Sequence, residues 1–408
     1  MRWLKPDGTE IRDAGHDLRS IFVVQGLRAF GYGFSSVLLG SALATSGFSA
    51  VQVGATFSTM LAGMAVASLL VARHANRLGW RRTYVAVLAV MVVAAAVFAV
   101  TDWFPLLLLA AFSGTLSTDP NESGPITTLQ QTMMGNAPTA IRARVFGQYN
   151  AVAYLTGSLG ALFASVPAAL RHRWPSIPSD QRWLLTQSAL AILAVLVAVR
   201  LSAAVEVPTE QQTHGRLVRS RSSVRQLTAL FAGDAFAGGF VVQAFLVLWF
   251  SRRYGATLQL MGIVFFIAGL LQAASSAAAG RIGERIGLLN TMVFTHLPSN
   301  LLLAAIPFSP TLPIAVTLLL ARSALSQMDV PARQAYVITI VDPSERATAA
   351  AHTNIARYAV RPVAPLTATI LAQLWVGLPF LVAGGLRIAY DLTLYALFRH
   401  ARLKAPDE

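Results

Sequence analysis

Long apolar segments separated by short polar ones run along the whole chain. Twelve of these segments are long enough to cross the roughly 30 Å hydrocarbon layer of a membrane as α-helices. We number them spans one to twelve: residues 18–45, 51–72, 84–101, 104–136, 145–170, 182–203, 226–250, 258–280, 288–308, 311–341, 347–375 and 378–398. The pattern predicts an all-α integral membrane protein with twelve transmembrane helices.

The longest polar stretch inside the chain lies between spans six and seven, at residues 204–225. It divides the chain into an N-terminal six-helix bundle in residues 1–203, a central cytoplasmic loop in 204–225 and a C-terminal six-helix bundle in 226–408. The composition agrees with a membrane protein, because 55% of residues are hydrophobic and only 12% are charged, against about a quarter charged in soluble proteins.

The positive charge of the chain is unevenly distributed between the two sides predicted for the membrane. With both termini in the cytoplasm, the inner tails and loops hold 20 Lys or Arg and the outer loops hold five: Arg171, Arg173, Arg182, Arg252 and Arg253. This is the positive-inside distribution that sets orientation during insertion. The net charge of +14 therefore gives no reason to expect a nucleic-acid partner.

Several functional classes lack their sequence signatures. The first 17 residues contain no apolar core of a cleavable signal peptide, and the chain has no Cys, which excludes disulfides and thiolate metal sites. No phosphate-binding loop, nucleophile elbow or zinc-protease motif occurs. We expect no enzyme activity, cofactor or metal, and a monomeric multi-pass protein of the cell inner (cytoplasmic) membrane, whose partners are lipids, protons and a small-molecule substrate.

The two halves of the chain repeat one another. RAFGYGF at 28–34 aligns with DAFAGGF at 234–240, ARHANRLG at 72–79 with GRIGERIG at 280–287, and residues 137–150 with 342–354, all at offsets of 204 to 208. Two parallel six-helix repeats are a transporter architecture, with the substrate site expected between the halves near the membrane midplane.

GRIGERIG resembles the loop signature between the second and third helices of each half in the major facilitator superfamily. DPSERATAAA at 342–351 resembles that family's segment at the start of the eleventh helix, with Ala351 where Gly is usual. The resemblance implies a substrate cavity lined by helices one, four, seven and ten. It also implies cytoplasmic gate motifs at Asn76, Arg77, Gly79, Arg81, Gly280, Glu284, Arg285, Gly287, Glu345 and Arg346.

Two positions depart from the family pattern. Asn76 stands where the loop has an acid, so the charged lock of that loop is expected only in the second half, at Glu284 and Arg285. The antiporter motif of the fifth helix is reduced to GSLGA at 157–161, which does not support a drug/proton antiporter.

Span four contains the polar stretch STDPNESGP at 117–125. If the span ended near Thr118, it would be too short to cross a membrane. The spacing of span ten, transferred through the repeat, places Asp119 and Glu122 near mid-membrane, three residues apart on one helical face. Pro120 and Pro125 predict a kink or an unwound turn, as membrane helices tolerate.

Charged side chains within the predicted spans concentrate in spans one, four, seven and ten, the four expected to line the cavity. A charge at the bilayer centre costs roughly 2.5 to 3.5 kcal/mol, so these residues are expected to face a wet cavity. We predict proton coupling at Asp119, Glu122 and Asp234. The predicted substrate cavity comprises Arg28, Tyr32, Gln131, Gln243, Arg322, Gln327, Asp329, Arg333, Arg357 and Arg361.

For each charged residue, the alternative to a role in transport is a structural ion pair that fixes the packing of the helices. Arg28 and Asp234 occupy equivalent repeat positions, and the opposite charges would allow them to bridge the halves. Arg387 and Asp391 are expected to pair along one helix, and His296 to be a packed polar group.

The predicted function is a secondary active transporter that moves a small organic solute by alternating access, with proton coupling and in the direction of efflux. The alternatives are a proton-coupled or facilitated importer of an anionic or zwitterionic metabolite, or a non-transporting membrane enzyme or sensor.

Overall fold

The computed structural model describes residues 9–119, 124–134, 139–176, 180–206, 217, 220–342 and 345–399. Within these ranges the regular structure is helical and no strand occurs, as the apolar pattern predicts. The α-helices are α1 Thr9–Thr45, α2 Ala50–Leu78, α3 Trp80–Val100, α4 Phe104–Phe112, α5 Pro125–Met134, α6 Thr139–Phe163, α7 Val166–Arg173, α8 Leu185–Ala198, α9 Arg221–Gly239, α10 Gln243–Tyr254, α11 Leu258–Ile286, α12 Leu288–Ala305, α13 Leu312–Leu325, α14 Asp329–Ile340, α15 Arg346–Val360, α16 Val363–Leu374 and α17 Leu378–Phe398.

Eight helical segments of the described chain are long and apolar enough to cross a membrane: Gly15–Thr45, Ala50–Leu78, Trp80–Val100, Gln181–Ala198, Arg221–Tyr254, Leu258–Ile286, Leu288–Phe308 and Leu378–Phe398. They coincide with eight of the predicted spans. The other four, spans four, five, ten and eleven, are each divided between two helices, and span seven is likewise divided between α9 and α10. An all-helical, multi-pass protein is therefore confirmed, whereas the twelve crossings and the cytoplasmic termini stay predictions.

Predicted span four is interrupted, in line with the expected kink or unwound turn. Helix α4 ends at Phe112 and α5 begins at Pro125, and residues 113–119 between them are not helical. Gly114 has a φ of 69°, a conformation that side chains other than glycine disfavour. The Gly114 backbone also lies directly against the backbone of Gly63 on α2, where no side chain would fit.

This interruption corrects one prediction. Asp119 lies in the non-helical segment and is exposed, because α4 has already ended at Phe112. The prediction that Asp119 and Glu122 share one helical face is therefore wrong for Asp119, and Glu122 lies outside the described residues.

The internal repeat recurs in the loops before α3 and α12. Gly79 and Gly287 precede these helices with φ values of 89° and 86°. In each loop a threonine four residues later donates its hydroxyl to the glycine carbonyl at 2.8 Å, Thr83 in the first and Thr291 in the second. The sequence repeat therefore corresponds to a repeated turn geometry.

The chain divides into two compact units. Unit 1 comprises residues 1–48, 59–212 and 257–266, and unit 2 comprises 49–58, 213–256 and 267–408, of which the described residues are considered below. In unit 1, α1 packs along α6 and α8, and α3 packs along α8. In unit 2, α9 packs along α15 and α17, and α12 packs along α13, α14 and α17.

Close backbone contacts in unit 1 depend on glycine. On α1, Gly33 lies against the backbone of Gly157, and on α6, Gly160 lies against the carbonyl of Phe30. The residues of the GSLGA segment therefore serve the packing of α1 on α6, where any side chain at Gly33 or Gly160 would collide with backbone atoms.

We expect Gly114→Ala to destabilise unit 1, because it places a side chain at a positive φ and against the Gly63 backbone. The left-handed conformation alone costs roughly 1 to 2 kcal/mol for a residue other than glycine. The measurement is the thermal unfolding midpoint of the purified protein in detergent. The control is Gly147→Ala on α6, where an added Cβ has no atom within 4 Å and helix propensity favours alanine. Equal midpoints for the two variants would contradict the account.

Candidate functional site

A cluster of buried charged side chains in unit 2 is centred on Asp234 of α9, which is 3% exposed. The Asp234 Oδ2 atom accepts hydrogen bonds from Nη1 of Arg333 and Nη1 of Arg357, both at 3.2 Å. The Oδ1 atom lies 3.4 Å from Nε of Arg387. One carboxylate therefore holds three guanidinium groups, from α14, α15 and α17.

A second carboxylate joins this cluster at the start of α14. Asp329 Oδ2 accepts a hydrogen bond from Arg333 Nη1 at 3.1 Å, one helical turn away. Asp329 is the first residue of α14, after the interruption at residues 326–328, and a helix N-terminus favours negative charge. Arg333 also lies over the ring of Phe231, 5.6 Å from its centroid.

His296 of α12 lies between two carboxylates. Its Nδ1 atom is 2.9 Å from Asp391 Oδ1 on α17, and its Nε2 atom is 3.9 Å from Asp234 Oδ1. Asn300 donates from Nδ2 to the other oxygen of Asp391 at 3.1 Å. All four side chains are buried, so their polar atoms depend on one another rather than on solvent.

Small residues allow the helices of the cluster to approach one another. The Arg387 side chain occupies the space where a Cβ at Gly238 would lie, and Gly239 lies against the Arg361 carbonyl and Ala364. Gly384 of α17 contacts the Asn300 carbonyl on α12 in the same way. The absence of a side chain at Gly238 therefore leaves the space through which Arg387 reaches Asp234.

Unit 1 contains a buried arginine of a different kind. Arg28 of α1 is 2% exposed, and its Nη2 atom donates to Thr127 Oγ1 at 2.8 Å and to Gln25 Oε1. It also lies 3.3 Å from the Tyr149 hydroxyl and 3.5 Å from Gln130 Oε1. All of these partners are neutral, and no carboxylate among the described residues binds Arg28.

The tyrosines around Arg28 extend this neutral network. Tyr149 donates to Gln130 Oε1 at 2.8 Å, and Gln130 Nε2 donates to the Tyr84 hydroxyl at 2.9 Å. Arg28 lies over the Tyr32 ring, 5.3 Å from its centroid. The Tyr32 hydroxyl donates to the Thr115 carbonyl at 2.5 Å, which satisfies a backbone group in the interrupted part of span four.

The predicted charges are thus distributed between two separate networks. Arg28 has partners inside unit 1 and Asp234 has partners inside unit 2, and a bridge between Arg28 and Asp234 stays a prediction. Asp234, Asp329, Arg333 and Arg357 come together as one cluster. Arg361 is half-buried beside the start of α16.

The remaining predicted cavity residues are more scattered. Arg322 on α13 is half-buried, and its Nε atom has no hydrogen-bond partner in the described chain. Gln327 lies in the interruption of span ten, where its N–H donates to Ser275 Oγ at 3.4 Å. Gln243 begins α10. Gln131 is exposed, whereas the neighbouring Gln130 is buried against Arg28.

The first gate motif is completed by a distant residue. Asn76 Oδ1 accepts a hydrogen bond from Trp80 Nε1 at 2.8 Å. The carboxylate of Glu206 accepts the backbone N–H groups of Trp80, at 2.7 Å, and Arg81, at 3.3 Å, and so caps α3. Arg77 is exposed on the last turn of α2, which ends before Gly79. Glu206 was missed because nothing local in the sequence connects it to α3.

The second gate motif behaves differently. Gly280, Glu284 and Arg285 lie on α11 ahead of Gly287, and the two charged residues are exposed and make no ion pair among the described residues. The Glu345 carboxylate accepts a hydrogen bond of 2.8 Å from the N–H group of Ser220, at the start of α9. The side chain of Arg346 lies outside the described set.

The predicted pairing of Arg387 with Asp391 is wrong. Arg387 pairs with Asp234, and Asp391 binds His296 and Asn300, because the two residues face different neighbours across α17. Asn300 was missed, since an isolated amide in an apolar span gives no periodic signal. His296 is buried, as expected of a packed polar group, but its ring nitrogens face two acids.

We expect Asp234→Asn to destabilise unit 2 strongly, because it leaves three guanidinium groups, one buried and two half-buried, around a neutral amide. Loss of one partner of a buried ion pair typically costs about 3 to 5 kcal/mol. The thermal unfolding midpoint in detergent is the measurement, and the double variant Asp234→Asn/Arg387→Gln should recover part of the loss. Exposed Glu284→Gln is the control. A midpoint for Asp234→Asn equal to that of the control would contradict a structural role for this network.

Comparison with known proteins identifies the fold. Residues 21–365 match the family model of the Major Facilitator Superfamily. The uncharacterized membrane protein YJR124C of Saccharomyces cerevisiae is 24% identical over 425 residues, which cover 94% of each chain. Two solved structures are similar at the level of fold. The nucleoside transporter NupG is 15% identical, with a TM-score of 0.73 over 93% of this chain and 99% of the NupG chain. The D-xylose-proton symporter is 14% identical, with a TM-score of 0.70 over 93% of this chain and 97% of the symporter chain. This multi-pass membrane protein therefore belongs to the Major Facilitator Superfamily, a family of transporters and not a class of enzymes.

Proposed function

We propose that this chain is a proton-coupled secondary transporter that moves a small organic anion across the cytoplasmic membrane by alternating access. The observation that supports an anion is the excess of arginine over acid in the interior of unit 2. Among the described residues, the interiors of predicted spans seven to twelve hold five arginines against three aspartates: Arg322, Arg333, Arg357, Arg361 and Arg387, with Asp234, Asp329 and Asp391.

The excess of arginine over acid in unit 2 is larger than the count of five against three suggests. Asp391 binds His296 and Asn300, which leaves two carboxylates to compensate the arginines. An uncompensated charge at the centre of a bilayer costs roughly 2.5 to 3.5 kcal/mol. A bound anion would remove this cost, so the site is better suited to a negatively charged ligand than to a neutral or cationic one.

Guanidinium groups are well matched to carboxylates and phosphates, which they bind through two parallel hydrogen bonds. Arg322 has no acid partner among the described residues, and Arg357 has a side chain that is 24% exposed. These two arginines retain donor atoms that can bind a ligand. We therefore propose an organic carboxylate or phosphate ester as the substrate class.

Proton coupling and direction follow from the charge of such a substrate. A cytoplasm-negative membrane potential opposes the entry of a monoanion by about 2.3 kcal/mol per 100 mV, and a proton carried with the anion cancels this opposition. The buried acids and His296 provide protonatable groups in the same cluster. Import with a proton is therefore the direction that we propose. One neighbour in fold is named as a proton symporter.

Export, which the family resemblance favours, is the second candidate. The same membrane potential drives an anion outward, so an exporter of this substrate class would need no proton. Both candidates keep the twelve crossings, the cytoplasmic termini and the monomeric state that the sequence predicts.

The substrate class is tested by thermal stabilisation of the purified protein. We expect succinate, lactate or glycerol 3-phosphate to raise the unfolding midpoint, and glycerol and choline to leave it unchanged. Arg322→Gln should abolish the response to the anion without lowering the midpoint of the ligand-free protein, because it removes an uncompensated charge. Arg252→Gln, at an exposed position, is the matched control. Stabilisation by choline or glycerol alone would contradict an anionic substrate.

Transport is tested in proteoliposomes with the anion that stabilises the protein most. Labelled anion outside should exchange for unlabelled anion inside, and acidification of the outside should drive its accumulation. Vesicles without protein are the control. In cells preloaded with the labelled anion, a loss of label that the protein accelerates at every external pH would favour export. Net uptake of the anion that grows as the medium becomes acidic would favour import. Absence of exchange for all the anions would overturn the proposal.

A further inference from the structure

His296 lies where three helices of unit 2 meet, with one carboxylate at each ring nitrogen. Its Nδ1 atom is 2.9 Å from Asp391 on α17, and its Nε2 atom is 3.9 Å from Asp234 on α9. We infer that His296, held by Asp391, is the site that binds the transported proton, an inference that rests on the proposed proton-coupled transport.

The hydrogen bonds around Asp391 set the protonation of the ring. Asp391 is fully buried, and Asn300 donates to its Oδ2 atom at 3.1 Å. With Asp391 ionised, the 2.9 Å contact to Oδ1 assigns the hydrogen to His296 Nδ1, and Asn300 Nδ2, which lies 3.1 Å from both Nδ1 and Oδ2, donates to the carboxylate. In the neutral ring Nε2 then has a lone pair, and this lone pair faces the Asp234 carboxylate.

Protonation changes this contact from repulsion to attraction. A hydronium ion gives its proton to Nε2, which forms one N–H bond and releases a water molecule. On the other side of the membrane this N–H bond breaks and the proton returns to water as hydronium. The imidazolium then presents an N–H group to Asp234 Oδ1.

The same oxygen of Asp234 is shared with an arginine. Arg387 Nε lies 3.4 Å from Oδ1, so an imidazolium at Nε2 competes with Arg387 for that atom. Protonation therefore weakens the hold of Asp234 on Arg387, and the freed guanidinium is available to an anion. Because binding couplings are reciprocal, bound anion in turn favours the protonated ring, and proton and anion travel together.

The charged and titratable neighbours of His296 come from every side of the cluster. On α9 there is Asp234, on α14 Asp329 and Arg333, on α15 Arg357, and on α17 Asp391, Arg387 and Tyr390, whose ring centroid is 6.0 Å away. From α13, Arg322 presents its backbone carbonyl to Ser299 at 3.4 Å.

The other predicted proton sites fit less well. A proton on Asp234 would have to displace three guanidinium groups, and Asp119 is exposed in a non-helical segment. His296 can accept a proton without breaking its bond to Asp391. Its protonation weakens the contact of Asp234 with one arginine, whereas protonation of Asp234 would weaken the contacts with all three.

The inference is tested with His296→Gln in proteoliposomes, with pyranine trapped inside to report internal pH. The probe is whichever of succinate, lactate and glycerol 3-phosphate gives the largest thermal stabilisation. For the wild-type protein, anion added outside should acidify the interior. For His296→Gln, labelled anion should still exchange, while acidification falls to that of protein-free vesicles and exchange no longer depends on pH. His74→Gln, exposed on α2, should behave like the wild type.

Each outcome separates the inference from the proposed function. Normal acidification by His296→Gln would overturn the role of His296 and leave anion transport intact. If His296→Gln does not fold, as judged by its unfolding midpoint, Asp391→Asn replaces it: exchange without acidification supports the inference, and loss of both together contradicts it. If the wild-type protein exchanges no anion, it is the proposed function that fails.

Discussion

The organisation of unit 2 depends on the cost of placing ionised groups in a hydrocarbon layer. Asp234 lowers this cost for three arginines at once, because its two carboxylate oxygens contact guanidinium groups from α14, α15 and α17. Through His296 the same carboxylate reaches α12 and Asp391. The packing of five helices therefore depends on one buried charge. Arg322, which has no acid partner among the described residues, and the partly exposed Arg357 are the basis of the proposed anion site.

The interruptions of the helices lie beside these polar networks. In unit 2, α14 begins at Asp329 after a break, and α9 ends at Gly239, against the backbone of Arg361. In unit 1, the Tyr32 hydroxyl binds the Thr115 carbonyl where span four is not helical. Unpaired backbone groups are tolerated at membrane depth only where protein or water satisfies them, so the breaks and the buried polar side chains require each other.

Much of the fold could be predicted from the sequence because it follows from local patterns. Apolar segment lengths predict the helices, and the prolines of STDPNESGP predict the interruption of span four. The internal repeat aligns glycines 79 and 287, which both have a positive φ in the structure. Span four also shows the limit of such patterns. The repeat gave its approximate position in the chain, but the point at which its helix ends depends on the contact of Gly114 with Gly63, which lies far away in sequence.

The site was predictable in its residue types but not in its pairs. The concentration of charges in spans seven and ten indicated a shared location, and Asp234, Asp329 and Arg333 lie in one cluster. The i,i+4 spacing of Arg387 and Asp391 favoured a local pair, yet the helix directs them to partners 91 or more residues away. Likewise, Glu206 caps α3 from across unit 1. Such partners are set by tertiary packing, on which a single sequence carries no direct signal.

The central claim is that the arginine excess of unit 2 binds an organic anion within the membrane. Crystals grown with bromoacetate, a carboxylate with one strong anomalous scatterer, would test it most directly. The account predicts a bromine peak beside Arg322, Arg357 or Arg387 that disappears when succinate is added in excess. Well-ordered arginines without any bromine peak near them, in crystals that hold bromoacetate elsewhere, would contradict it.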